Sequence, residues 1–194
     1  MSLSSFSEVG TADQASAIDT LTSAFFNDPV ERWLYPEEDQ YVRDFPNFLR
    51  AFGGRSFETS TAWKLGESIA VALWLPPGTE VDGDAIVSVL TETVAPEKLE
   101  DTYSVLNQMD EAHPTYEHWY LPWFGVDLAS QGKGMGGQLM LKCLEVIDAA
   151  HCYAYLETPN PRTINFYNRH DFEITGNAQS GSCPPITFMS RAPH

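Results

Sequence analysis

The chain has 194 residues, 43% apolar and 12% aromatic, enough to bury a full core as one domain. Its formal charge of −16 at pH 7 argues against nucleic acid and anionic membrane surfaces as partners, since both call for positive patches. The same acidity either draws cationic small molecules or serves solubility alone.

Residues 4–9 fit a short first strand. Over 11–26, apolar residues fall at Ala15, Ile18, Leu21, Ala24 and Phe25, a helical stripe stopped by Asp28-Pro29. The segment 30–36 is short and aromatic. A second helix is predicted over 37–52, with Pro46 kinking or dividing it and Gly53-Gly54 ending it. Strands at 55–65 and 68–75 make a hairpin around Gly66-Glu67. The second is apolar on both faces and therefore central. Residues 84–94 and 96–112 form two helices, or one broken pair, ending at His113-Pro114. A long strand over 116–127 follows, then a glycine-rich stretch and an amphipathic helix carrying Leu139, Met140, Leu141, Leu144 and Ile147. A strand at 152–157, a helix at 161–170 and a strand pair at 172–175 and 186–190 complete the chain. No repeat, linker or low-complexity segment interrupts 1–194, which reads as a single domain. Hairpins mixed with helical crossovers predict an α/β fold: a mixed, mostly antiparallel sheet with helices on both faces.

Cys143, Cys152 and Cys183 are odd in number and lack disulfide or metal spacing, which fits a reducing, cytoplasmic location. The five histidines show no ligand spacing, so no metal is expected. No segment reads as a signal peptide or a membrane span.

The glycine-rich stretch carries the chemistry. Gly132, Gly134, Gly136 and Gly137 lie between a strand and a helix. Glycines let the backbone turn sharply and approach an anion, and the helix start adds unpaired N–H groups and a positive dipole end. Gly134 after Lys133 leaves out the hydroxyl of a Walker loop, and no βαβ train precedes the stretch as in dinucleotide-binding folds.

Gln131-Gly132-Lys133-Gly134-Met135-Gly136 resembles the Gln/Arg-x-x-Gly-x-Gly/Ala pyrophosphate loop of the GNAT acyl-CoA N-acetyltransferase superfamily. Asn160, Phe166-Tyr167 and Arg169-His170-Asp171-Phe172 look like that family's second signature, with Thr163 replacing alanine and Asp171 replacing a turn glycine. The resemblance spans 119–189. It implies strands that splay around Phe124 and Tyr155 to admit a pantetheine arm, with acetyl-CoA as co-substrate. Cofactor contacts would come from Phe124, Gly125, Val126, Gln131, Gly132, Lys133, Gly134, Met135, Gly136 and Asn160. Lys133 is either a charge partner or a surface lysine, and Asn160 also fits a helix N-cap ahead of Pro161.

Tyr167 is either a core aromatic or, by the resemblance, the acid that protonates the departing thiolate. For the base, Glu117 and His118 rank together, with Glu157, Glu31 or a water relay as alternatives. Strand alternation sends Glu117 and Trp119 to one face and His118 and Tyr120 to the other. The acceptor pocket is expected from loops at 27–35 and 177–185 and the strand near Trp119, with Trp33, Tyr35 and Trp119 against the substrate. These readings point to an N-acetyltransferase of a small-molecule primary amine. A non-catalytic acyl-CoA sensor and a protein or peptide N-acetyltransferase are the alternatives. The oligomeric state stays open, a homodimer included.

Overall fold

The computed structural model describes residues 5–194, so Ser4 of the predicted first strand lies outside the described residues. The strands are β1 (Phe6–Glu8), β2 (Ala62–Leu65), β3 (Ala70–Leu75), β4 (His118–Val126), β5 (Tyr153–Thr158), β6 (Glu173–Ala178) and β7 (Ile186–Arg191). They form one seven-stranded open sheet in the order β1-β2-β3-β4-β5-β7-β6. Every neighbouring pair is antiparallel except β4 and β5.

The helices are α1 (Gln14–Ala24), α2 (Pro29–Leu34), α3 (Glu38–Gly53), α4 (Arg55–Glu58), α5 (Gly83–Thr93), α6 (Pro96–Ala112), α7 (Met135–Ala149) and α8 (Pro161–Asn168). Two helix starts follow directly from sequence. Asp28 accepts from the backbone N–H groups of Val30 and Glu31 with Pro29 at the first helical position, and Asn160 accepts from Arg162 N–H ahead of Pro161.

The sheet separates two apolar layers. Val71, Leu73 and Leu75 of β3 join Leu21, Tyr41, Phe45, Leu49, Tyr120 and Trp123 on one side. Ala70, Ala72 and Trp74 join Trp119, Leu121, Leu139, Leu144 and Tyr167 on the other. All six β3 residues are buried, as a strand covered on both faces must be.

Strand β4 breaks its own alternation at Pro122. Leu73 pairs with Trp123 but Leu75 with Tyr120, so Leu121 and Pro122 of β4 oppose Trp74 alone on β3, a bulge that re-aims the side chains beyond it. Pro122 has no N–H to donate, and the parallel pairing of β4 with β5 stops at Leu121 and Leu156. Past that point the edge of β4 facing β5 is unpaired.

Four expectations are corrected. Residues 55–58 are helix α4 rather than strand, because the buried Ser56 hydroxyl bonds the Gly53 carbonyl at 2.8 Å and carries the helical path on from α3. Pro46 does not divide α3, which runs through it for 16 residues. Residues 29–34 of the expected acceptor loop are helix α2, and the strand predicted at 172–175 is β6, which extends to Ala178.

Candidate active site

A cavity of about 1220 Å³ lies along the parted strands. Its lining falls into two sets, one made largely of backbone and one of side chains.

The first set is Phe124, Gly125, Val126, Gln131, Gly132, Gly134, Met135, Gly136, Gly137 and Asn160. Gly132 and Gly134 have φ of +73° and +81°, a region costly for residues with a β-carbon. A β-carbon placed on Gly132, Gly134 or Gly137 would meet nothing within 4 Å, so the space above the turn is open. One on Gly136 would lie 3.3 Å from Val126 Cγ2, which shows how tightly α7 begins against β4. Gly134 offers no capping side chain, so the first N–H groups of α7 are left for an anion. The turn is braced by side chains: Asp127 accepts from Ala129 N–H at 3.0 Å, and Gln131 Nε2 donates to the Val126 carbonyl at 3.1 Å. Arg162 and Arg169 also line this part of the cavity, and among the described residues neither is in a salt bridge.

The second set holds Asp28, Glu31, Trp33, Tyr120, Glu157, Tyr167 and Cys183. Burial raises Asp28 to about 6, the bonds from Glu31 and Val30 N–H opposing that rise. Burial and the charge of Asp28 push Glu31 well above the carboxylate range, and Glu31 Oε2 is buried without a partner among the described residues. Glu157 sits one residue past the last β4–β5 pair, where the strands part, and accepts a hydrogen bond from the Tyr120 hydroxyl. Tyr167 is buried on α8, and burial together with the nearby Asp28 charge raises its phenol, which keeps it protonated.

The model of the acetyltransferase (GNAT) family matches residues 22–172. The chain belongs to the GNAT acetyltransferase family. Solved GNAT-type relatives cover nearly all of it. A Corynebacterium glutamicum structure described as histone acetyltransferase HPA2 and related acetyltransferase is 23% identical over 99% of this chain and 97% of its own, with a TM-score of 0.68. A mutant of agmatine N-acetyltransferase is 12% identical over 97% and 98%, with a TM-score of 0.65. The Drosophila melanogaster polyamine N-acetyltransferase that forms N-acetylagmatine is 11% identical over 97% and 99%, with a TM-score of 0.57. At these identities the likeness establishes the fold.

Both departures from the GNAT signature have physical explanations. Asp171 takes φ +64°, the conformation that the usual glycine supplies. The Thr163 hydroxyl bonds Thr158 Oγ1 at 2.7 Å and the Asn160 carbonyl at 2.8 Å, tying α8 to the end of β5.

Not every predicted site residue reaches the cavity. Lys133 is exposed and outside the lining, its Nζ turned back onto the Ala129 carbonyl at 2.7 Å. Glu117 is exposed just before β4 and also outside the lining, because the strand's parting lies several residues further on. Trp119 packs against Trp63 in the layer opposite Tyr120, as β4 alternation dictates. Tyr35 is fully buried and bonds Thr93 Oγ1 at 3.1 Å. Trp33 does line the cavity, with its Nε1 on Ser182 Oγ at 3.2 Å and the Lys98 ammonium over its ring. His118 is half-buried behind the wall rather than on it. Asp28, Arg162 and Arg169 were not singled out from sequence. Asp28 shows there only as a helix stop. The spacing of Arg162 and Arg169 around Phe166 and Tyr167 is the helical signal for a shared face.

Proposed function

We propose that this GNAT-family protein transfers the acetyl group of acetyl-CoA to the primary amine of a small molecule, by direct attack of nitrogen on the thioester. One observation carries the reading. A single cavity joins an anion-binding turn, a protonated phenol and three carboxylates that no Lys or Arg pairs with among the described residues. The turn and the start of α7 suit the pyrophosphate, with Arg162 and Arg169 supplying charge that the rest of this acidic chain lacks. The unpaired edge of β4 beyond Pro122 suits the amides of a pantetheine arm, and a backbone N–H there would polarise the thioester oxygen.

An amine arrives as an ammonium and must lose a proton before it attacks. Asp28, at about 6, is ionised at neutral pH and seats the cation. Glu157, at the parting of β4 and β5, takes the proton. Nitrogen attacks the carbonyl carbon, the C–S bond breaks, Tyr167 gives its proton to the departing thiolate, and the second proton lost by the nitrogen restores the phenol. The structural relatives that act on agmatine and polyamines support a small cationic acceptor over an extended peptide. The free, buried Cys143, Cys152 and Cys183 support a reducing, cytoplasmic setting. Among the described residues no helix is long and apolar enough to cross a membrane.

Thiol release from acetyl-CoA, followed colorimetrically over a panel of mono- and diamines, aminoglycosides, alcohols and short peptides, tests this. Amines with a second cationic group should show the highest kcat/KM. Turnover confined to peptides or alcohols, or acetyl-CoA binding without transfer to any acceptor, would overturn the reading.

A further inference from the structure

Behind the cavity wall, Glu157 leads to two histidines that the reaction as described does not use. The Glu157 carboxylate receives Tyr120 on Oε2, and Oε1 is 3.9 Å from His113 Nδ1. His113 Nε2 is 2.9 Å from His118 Nε2, and His118 Nδ1 is 2.8 Å from the Tyr116 carbonyl oxygen. The chain therefore leads from a carboxylate that lines the cavity, through His113 just beyond α6, to a half-buried histidine beside the exposed Tyr116.

Hydrogen-bond roles fix its proton count. A carbonyl oxygen only accepts, so His118 Nδ1 carries a proton. Two ring nitrogens 2.9 Å apart need one proton between them. Glu157 Oε1 and His113 Nδ1 are 3.9 Å apart, too far for a hydrogen bond, so the proton crosses there once a side-chain rotation brings the two together. Counting that proton, three arrangements are possible: carboxylic acid with two neutral imidazoles, carboxylate with imidazolium at His113, and carboxylate with imidazolium at His118. They have the same number of protons and differ only in where one of them sits.

We propose that Glu157, His113 and His118 form a relay that carries the acceptor's proton from the cavity to solvent. It rests on the reading of Glu157 as the base. Each turnover frees two protons from the ammonium nitrogen; one ends on sulfur and one must leave. The ammonium N–H breaks as an O–H forms on Glu157, the proton shifts pass to His113 and then His118, and His118 gives one to water. No electron changes hands. With acetyl-CoA and amine filling the cavity this route stays open, because it runs through the wall and not the mouth. The groups that face it are Tyr116, Tyr120 and Tyr155, whose rings pack edge-on or tilted against the two histidines and one another. Burial and the neighbouring His113 lower His118, which favours its discharge to water over storage of the charge.

The test uses His118→Gln and His113→Gln, which keep a donor at each position but cannot relay. Glu157→Gln is run alongside. Thiol release and proton release are followed together in a weakly buffered pre-steady-state reaction with a pH indicator. In the wild-type protein the two should coincide. In either histidine variant kcat should fall about tenfold, below the 10²–10⁴ of direct acid–base catalysis, with KM for both substrates held. Added imidazole should restore His118→Gln, and proton release should lag thiol release without it. Full turnover and coincident release in both histidine variants would overturn the relay while leaving Glu157 as base. An active Glu157→Gln would instead overturn the base assignment, and the relay with it. If one histidine variant fails to fold by circular dichroism, the other decides.

Discussion

The two halves of the cavity solve opposite problems by different means. In the proposed function the cofactor half meets an anion with main chain: a turn containing Gly132 and Gly134 at positive φ and the first turn of α7, all within six residues. The acceptor half would meet a cation with side chains from far apart in sequence: Asp28 and Glu31 on or beside α2, Tyr120 on β4, Glu157 on β5. Backbone donors are fixed by local conformation and tolerate any neighbour that leaves space. Buried carboxylates depend on one another, and their charge states are set by the whole assembly. In the proposed function, the cavity of this protein of net charge −16 offers three carboxylates to the amine and Arg162 and Arg169 to the phosphates.

Tyr167 stands where the halves meet, and breaking it should have the largest effect. Tyr167→Phe keeps the ring's packing and deletes the proton donor, so kcat should fall about 10²–10⁴-fold with little change in KM for acetyl-CoA. Rapid-quench kinetics would check that chemistry limits the rate; a loss under about threefold would return Tyr167 to the core.

The next largest effect should come from charge on the backbone cradle. Gly134→Glu adds both repulsion and backbone strain, because Gly134 has φ +81°. Gly137→Glu separates the two, since Gly137 lies in the first turn of α7 with open space around it. Calorimetry should show acetyl-CoA binding weakened by at least about thirtyfold, roughly 2 kcal/mol, in Gly137→Glu at unchanged thermal stability. Unchanged affinity would move the phosphate site elsewhere.

The same contrast explains what sequence could tell. The cofactor half was legible because its parts are adjacent: Gln131 to Gly137 is a local pattern whose conformation follows from glycine. Asn160 was legible for the same reason, as an N-cap before a proline. The acceptor half was not. Asp28 advertises only a helix stop, because capping and ion binding use the same residue type, and its place in the cavity depends on how the start of α2 is seated in the fold. Glu117 looked equal to His118 because both lie near the start of the long strand, yet β4 and β5 part only beyond Leu121, next to the bulge at Pro122. Trp119 and Tyr35 could not be told from cavity-lining aromatics until the layers were known. The sheet itself was largely legible from alternation and turns, whereas α4 was missed because Ser56 and Thr59 spend their hydroxyls on local backbone bonds.

A smaller effect should follow from Asp28. Asp28→Asn removes the charge that seats the cation, and KM for the amine should rise about tenfold at pH 7.5, the loss of one charge-assisted contact of roughly 1.4 kcal/mol. In the wild-type protein KM should fall as pH rises through about 6, where Asp28 ionises. That dependence should vanish in Asp28→Asn. A pH-dependent KM surviving the substitution would assign the seat to another group.

The smallest effect sharpens the comparison from the side of stability. Glu31 is buried beside Asp28, its Oε2 has no partner among the described residues, and its carboxyl is raised well above the normal range. A raised acid keeps its proton in the folded state at pH values where the unfolded chain has lost it. The folded state then binds more protons than the unfolded one, so stability declines as pH climbs from the unfolded value of about 4.3 toward the folded one. Gln, which cannot ionise, removes this penalty. Glu31→Gln should therefore be more stable than wild type at pH 7.5, by roughly 2–4 °C in Tm for each 1 kcal/mol relieved, and show no such gain at pH 4. Such a gain would identify the acceptor half as a place where fold stability is surrendered to hold acid in a buried cavity. The cofactor half, built from backbone, should show no pH-dependent gain from any neutralising substitution. Equal melting temperatures for wild type and Glu31→Gln across that pH range, read by differential scanning calorimetry, would show that Glu31 is hydrated and ordinary, and would dissolve this part of the contrast.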